Sequence, residues 1–79
     1  MNQQEIEKEV IDMMALTFNL GENPDPTTPL VDLGVDSLDA VTLQIMLEDR
    51  FGEQYLNEYR PGPQVTAREI AAEIQKRLP

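Results

Sequence analysis

Apolar positions recur at intervals of three and four in three stretches of the chain. In residues 3–18, Ile6, Val10, Met13 and Thr17 fall on one face, with Met14 and Phe18 widening the stripe. That spacing predicts an amphipathic helix. Asn2, with Glu5 three residues later, predicts a capping box at its start, and Gly21 predicts its stop. Residues 37–51 carry the strongest helical pattern. Leu43, Leu47 and Phe51 follow at spacing four, flanked by Met46 and Arg50, which predicts a core-facing stripe. Asp36 is suited to cap this helix and Asp39 to reach back in the same box arrangement, while Gly52 ends it. Residues 66–78 form the third: Thr66 caps, Glu69 closes the box, and Val65 is placed to staple onto Ile70. Ile70, Ile74 and Leu78, with Ala71 beside them, make its buried edge.

The connections are unlike these helices. Residues 21–36, "GENPDPTTPLVDLGVD", hold three prolines and two glycines and predict no helix. Leu30, Leu33 and Val35 predict that its second half is pinned to a core, leaving residues 23–28 looser. Residues 53–65 are the least regular. "EQYLNEYR" predicts a single helical turn before Pro61-Gly62-Pro63, with Tyr55 and Tyr59 packing over a loosely ordered loop. No segment alternates with period two, and no segment repeats. The predicted fold is all-α: a small four-helix bundle of three long helices and one short irregular one, in a single domain over residues 1–79.

Composition narrows the chemistry. There is no cysteine and no histidine among 79 residues, which leaves no disulfide, no zinc site of the usual kind and no thiol nucleophile. The net charge of −9 argues against a nucleic-acid partner, because little here displaces counterions from a phosphate backbone. The charge is uneven: residues 1–58 oppose thirteen acids to Lys8 and Arg50, whereas Arg60, Arg68, Lys76 and Arg77 make the remainder slightly basic. An acidic surface of this density favours basic partners and speeds their encounter at low salt. No apolar run is long enough to span a membrane, and no basic-then-apolar leader is present, so no membrane partner is expected. A monomer in a reducing cytoplasm fits this composition.

The outer side of the middle helix holds the candidate site. Leu38, Val41, Thr42, Ile45, Glu48 and Asp49 mix apolar with acidic residues, where an ordinary surface helix is wholly polar. Ser37, the chain's single serine, stands at its first turn. Nucleophilic catalysis by Ser37 needs a base, and no histidine exists to serve. The carboxylates of Asp32, Asp36 and Asp39 do not match the spacing of an EF-hand. What a serine at a helix start can do is bear a phosphate, since the free amides and the helix dipole stabilise an anion there.

"DLGVDSL", followed by "LEDRFG" at the end of the same helix, resembles the attachment site of the acyl carrier proteins. The resemblance extends over the whole chain in its order of helices and loops. It implies that Ser37 receives a 4'-phosphopantetheine arm from coenzyme A, transferred by a magnesium-dependent phosphopantetheinyl transferase. The arm's thiol then carries acyl groups as thioesters between enzymes, so the chain itself is a substrate rather than a catalyst. Carried over by position, Asp36 and Leu38 flank the attachment serine as recognition elements. Asp39, Val41, Ile45, Glu48 and Asp49 form the side facing acyltransferases, ketosynthases and other thioester-processing partners with basic docking patches. Leu43, Leu47 and Phe51 face the core. Thr42 stands where fatty-acid carriers commonly have glutamate, and "EQYLNEYRPGPQ" lacks their Ile-Pro segment and acidic third helix. Gly34-Val35-Asp36 resembles carriers of polyketide pathways, whereas peptidyl carriers more often have histidine before the serine. The implied function is an acyl carrier of a specialised pathway. The alternatives are a peptidyl or aminoacyl carrier, and an unmodified acidic helical adaptor for basic partners.

Overall fold

The computed structural model describes all 79 residues. It holds four helices in chain order: α1 (Gln3–Thr17), α2 (Ser37–Phe51), α3 (Glu53–Leu56) and α4 (Ala67–Arg77), with a 3-10 turn at Leu30–Leu33. This is the expected small helical bundle, three long helices and one short one, without strands. Each long helix starts with a reciprocal capping box: Asn2 with Glu5, Asp36 with Asp39, and Thr66 with Glu69. In each, the cap side chain accepts from an otherwise unpaired amide and the third residue's side chain accepts from the cap's own amide.

The core is aliphatic and continuous. Ile6, Val10 and Met14 of α1, Leu43, Leu47 and Phe51 of α2, Leu56 of α3, and Ala67, Ile70, Ala71 and Ile74 of α4 are buried together, joined by Leu30 and Val35 from the loop. On α2 the expected stripe is the buried one. On α1 the buried line runs through Met14, with Met13 and Thr17 at its border, because two successive steps of four, Ile6 to Val10 to Met14, keep one side chain above the next. Thr17 instead donates its hydroxyl to the Met46 sulfur of α2 at 2.9 Å. On α4, Ala67 joins the buried face at its start, and Leu78 lies half-buried just past its end.

Three local expectations are corrected. α1 stops before Gly21: Asn19 adopts the left-handed conformation (φ 53°) and the Leu20 amide donates back to the Ala15 carbonyl at 3.3 Å. This is the 6→1 bond of a Schellman-type closure, with asparagine in the left-handed place more often held by glycine. Residues 23–28 are tied rather than loose. Asp25 Oδ1 accepts from both the amide and the hydroxyl of Thr27, and the Pro26 carbonyl accepts from the Arg68 amide of α4 at 3.0 Å. The Tyr59 segment is likewise held, with the Arg77 guanidinium stacked 5.0 Å from the Tyr59 ring centroid. Half-burial of the ring and the nearby Glu73 carboxylate push the Tyr59 hydroxyl up to about 12.

The long loop and the segment before α4 run side by side. The Leu30 amide donates to the Val65 carbonyl at 3.0 Å and the Val31 amide to the Pro63 carbonyl at 2.9 Å, with Pro29 and Thr66 forming an antiparallel bridge. Leu30 and Val35 anchor this pairing in the core, and Gly34 (φ 82°) makes the left-handed turn that brings the chain round to Ser37. At the other end of α2, Gly52 (φ 109°) turns the chain directly into α3. A Cβ there would lie 2.8 Å from the Tyr55 ring, so this corner takes glycine alone. No helix is long and apolar enough to cross a membrane.

Candidate functional site

Ser37 is the first residue of α2 and is exposed. Asp36, just before it, accepts from the Asp39 amide at 2.9 Å, and the Asp36 amide donates to the Asp39 carboxylate at 3.3 Å. The box therefore engages both acids flanking the serine. The amides of Ser37 and Leu38 have no protein acceptor and lie open at the positive end of a 15-residue helix. The serine hydroxyl thus stands where an attached phosphate meets free N–H donors and a favourable dipole.

Three faces of α2 have different surroundings. Leu43, Leu47 and Phe51 are buried. Leu38, Val41 and Ile45 are exposed at 76, 50 and 60 %. Asp49 is exposed beside this apolar stripe and Glu48 is half-exposed, and neither makes an ion pair. Thr42, also on the outer side, turns its hydroxyl back onto the Leu38 carbonyl at 3.1 Å. Of the residues expected to face partners, Asp39 is the one engaged within the molecule, through the cap.

The third face was not anticipated from the sequence. Ser37, Ala40, Val41 and Gln44 share it and line a groove of about 410 Å³. Its opposite wall is formed by Val31 of the 3-10 turn and by Arg60, Pro61 and Pro63, with Val35 at its base. Arg60 Nη1 donates to Gln44 Oε1 at 3.3 Å across the groove. The α2 members are spaced i, i+3, i+4 and i+7 from the serine, a signal present in the sequence. The opposite wall carries no such signal, because loop pairing places it.

The groove is open at Ser37, where the Asp36 carboxylate also lines it, apolar along most of its length, and fitted with the Arg60 cation and the Gln44 amide further along. A flexible anionic group on that serine would meet the open amides at its start and an apolar surface to lie against. Residues 8–54 match the family described as phosphopantetheine attachment site. The match runs from α1 through the long loop and all of α2 into α3, and it contains Ser37. The chain belongs to this phosphopantetheine-attachment family. It is a carrier protein bearing covalently attached 4'-phosphopantetheine, of the kind that other enzymes modify and use as substrate. No curated protein and no solved structure matches the chain significantly.

Proposed function

We propose that residues 1–79 form a single carrier domain and that Ser37 is its attachment residue. The observation that carries this reading is the position of the serine: exposed, first in α2, with two open amides beside it and the groove at its side. In the transfer reaction, Ser37 Oγ bonds to the phosphorus of the phosphopantetheine moiety and the rest of coenzyme A leaves. The serine proton passes to a base on the transferase, since the chain has no histidine to take it. Once attached, the group supplies a thiol that holds its cargo as a thioester.

This chain's own contributions are positional. The capping box fixes the serine at the helix start, the open amides and dipole stabilise the phosphodiester, and Leu38, Val41 and Ile45 offer apolar contact framed by Glu48 and Asp49. Basic docking patches on a phosphopantetheinyl transferase and on thioester-processing enzymes complement this surface. Aspartate rather than histidine before the serine favours an acyl over a peptidyl cargo. Gly34-Val35-Asp36, together with Thr42 on the docking face, favours a specialised, polyketide-type pathway over primary fatty-acid synthesis, and the absence of cysteine fits a reducing cytoplasm.

The intact mass tests the assignment. Incubation with coenzyme A, magnesium and a broad-specificity transferase is expected to add one phosphopantetheinyl group, and Ser37→Ala to abolish the gain completely. Modification of Ser37→Ala, or no gain under conditions that load a control carrier, would overturn it. In the latter case, binding of unmodified protein to basic partners through α2 would support the adaptor reading.

A further inference from the structure

Resting on Ser37 as the attachment residue, we infer that Arg60 and Gln44 form a clamp for the amide groups of the arm, docking it along the α2 groove. Arg60 is unusual among the arginines of this acidic chain. Arg50, Arg68 and Arg77 are paired with Glu9, Glu7 and Glu73, whereas Arg60 has no carboxylate partner and donates only to the neutral Gln44. In a chain of fifteen acids, an arginine left with unused donors and set into an apolar groove is available to a further acceptor.

Position selects the acceptor. Gln44 lies seven residues from Ser37 on the same helix face, about 10 Å along the axis at the helical rise. The phosphate, bonded directly to Ser37 Oγ, does not reach that far. The arm's branched dimethyl segment follows the phosphate, and its two amides follow that. Ala40, Val41 and Pro63 present apolar surface in the intervening stretch, which suits the dimethyl segment. An amide offers a carbonyl and an N–H together. Arg60 supplies donors only, and the Gln44 carbonyl oxygen is an acceptor, so the pair matches both halves of that group. The thiol then emerges beyond the clamp, and Leu38 and Ile45 stay clear for partners, while Val41 borders both the groove and the docking face.

The test is made on the full chain loaded with an isotope-labelled arm, read by the arm's amide resonances and by the rate at which the thiol reacts with a small reagent. In the loaded protein, the amide resonances are expected to differ from those of free phosphopantetheine and to show proximity to Ala40, Val41 and Gln44. Arg60→Met is expected to return them towards the free values. It should also raise thiol reactivity by about three- to tenfold, the equivalent of one lost hydrogen bond. Arg60 is exposed and makes a single side-chain bond, so the unloaded variant should keep the wild-type unfolding midpoint. Arg60→Gln provides a second variant with the same expected direction. Arm resonances identical to free phosphopantetheine in the wild type, or unchanged in both variants, would overturn the clamp while leaving Ser37 attachment intact. Failure of the wild type to gain the arm's mass would overturn both readings.

Discussion

α1 and α2 have the same length, 15 residues, and the same capping device, yet they differ in how their acids are paired and in what they leave in water: Leu16 alone on α1, at 84 %, against Leu38, Val41 and Ile45 together on α2. The acids of α1 are largely taken up inside the molecule. Glu7 pairs with Arg68 of α4, Glu9 with Arg50 of α2, and Asp12 with Lys8. The matching positions of α2 are left open: Glu48 and Asp49 have no cation, and Leu38, Val41 and Ile45 stand exposed among them. Exposed ion pairs contribute little stability each, but they fix how α1 sits against its neighbours. Unpaired acids around exposed apolar side chains contribute nothing to the fold and are suited to a partner. The contrast separates scaffold from docking surface on two helices that look alike in length and capping.

The largest expected effect probes the two sides of α2 itself. Leu47→Ala removes a buried side chain and should cost about 2–5 kcal/mol of stability. Leu38→Ala, on the open side, should stay within about 0.5 kcal/mol while slowing modification by the transferase. Denaturant unfolding and a loading time course measure the pair. Equal stability losses would erase the distinction between the faces.

Charge provides a second comparison at constant change in net charge. Neutralising Glu48 and Asp49 (Glu48→Gln with Asp49→Asn) should slow loading by about three- to tenfold at low salt, converging with wild type as salt screens the field. Neutralising Glu7 and Glu9 to glutamine should leave the loading rate alone and lower stability by about 1 kcal/mol or less. Loading rates against ionic strength decide it; the same salt dependence in both double variants would mean that net charge, not the α2 surface, steers the encounter.

The smallest effect concerns an internally satisfied cluster at the far end of α4. Arg77 stacks on Tyr59 and donates to Glu73 at 2.7 Å, a contact that holds the Glu73 carboxyl below its usual range. Because the folded protein keeps the Tyr59 proton up to about 12, the unfolded chain releases it first as pH rises from 10. Stability from this group is fully present below pH 10 and is lost between about 10 and 12. The expected loss is about 1 kcal/mol, discounted from the full shift for the partial exposure of the ring. Unfolding free energies across this window, with Tyr59→Phe as reference, should show a decline that the variant lacks.

Much of this molecule was legible in its sequence, because local rules acted without competition. The three capping boxes follow from residue pairs three apart, and the buried line Leu43, Leu47 and Phe51 from spacing four. Pro24, Pro26 and Pro29 exclude a helix by removing donors. The open side of α2 was readable for the same reason: apolar residues on a face that does not match the core stripe have nowhere inside to go. Where several local solutions compete, the pattern alone does not select one. Asn19 rather than Gly21 closes α1, since either residue tolerates the left-handed turn and a turn at Asn19 brings the Leu20 amide onto the Ala15 carbonyl.

The sequence by itself determined the helices, their caps, the aliphatic core and a lone serine at a helix start. Only the tertiary structure decided what stands opposite that serine. Arg60, Pro61 and Pro63 lie more than twenty positions away along the chain, in a segment with no periodicity of its own. They become a groove wall because Leu30 and Val31 pair their amides with Val65 and Pro63, while Leu30 and Val35 anchor the loop in the core. Long-range hydrogen bonds between irregular segments leave no repeating pattern in either partner, so the two walls meet only once the chain has folded.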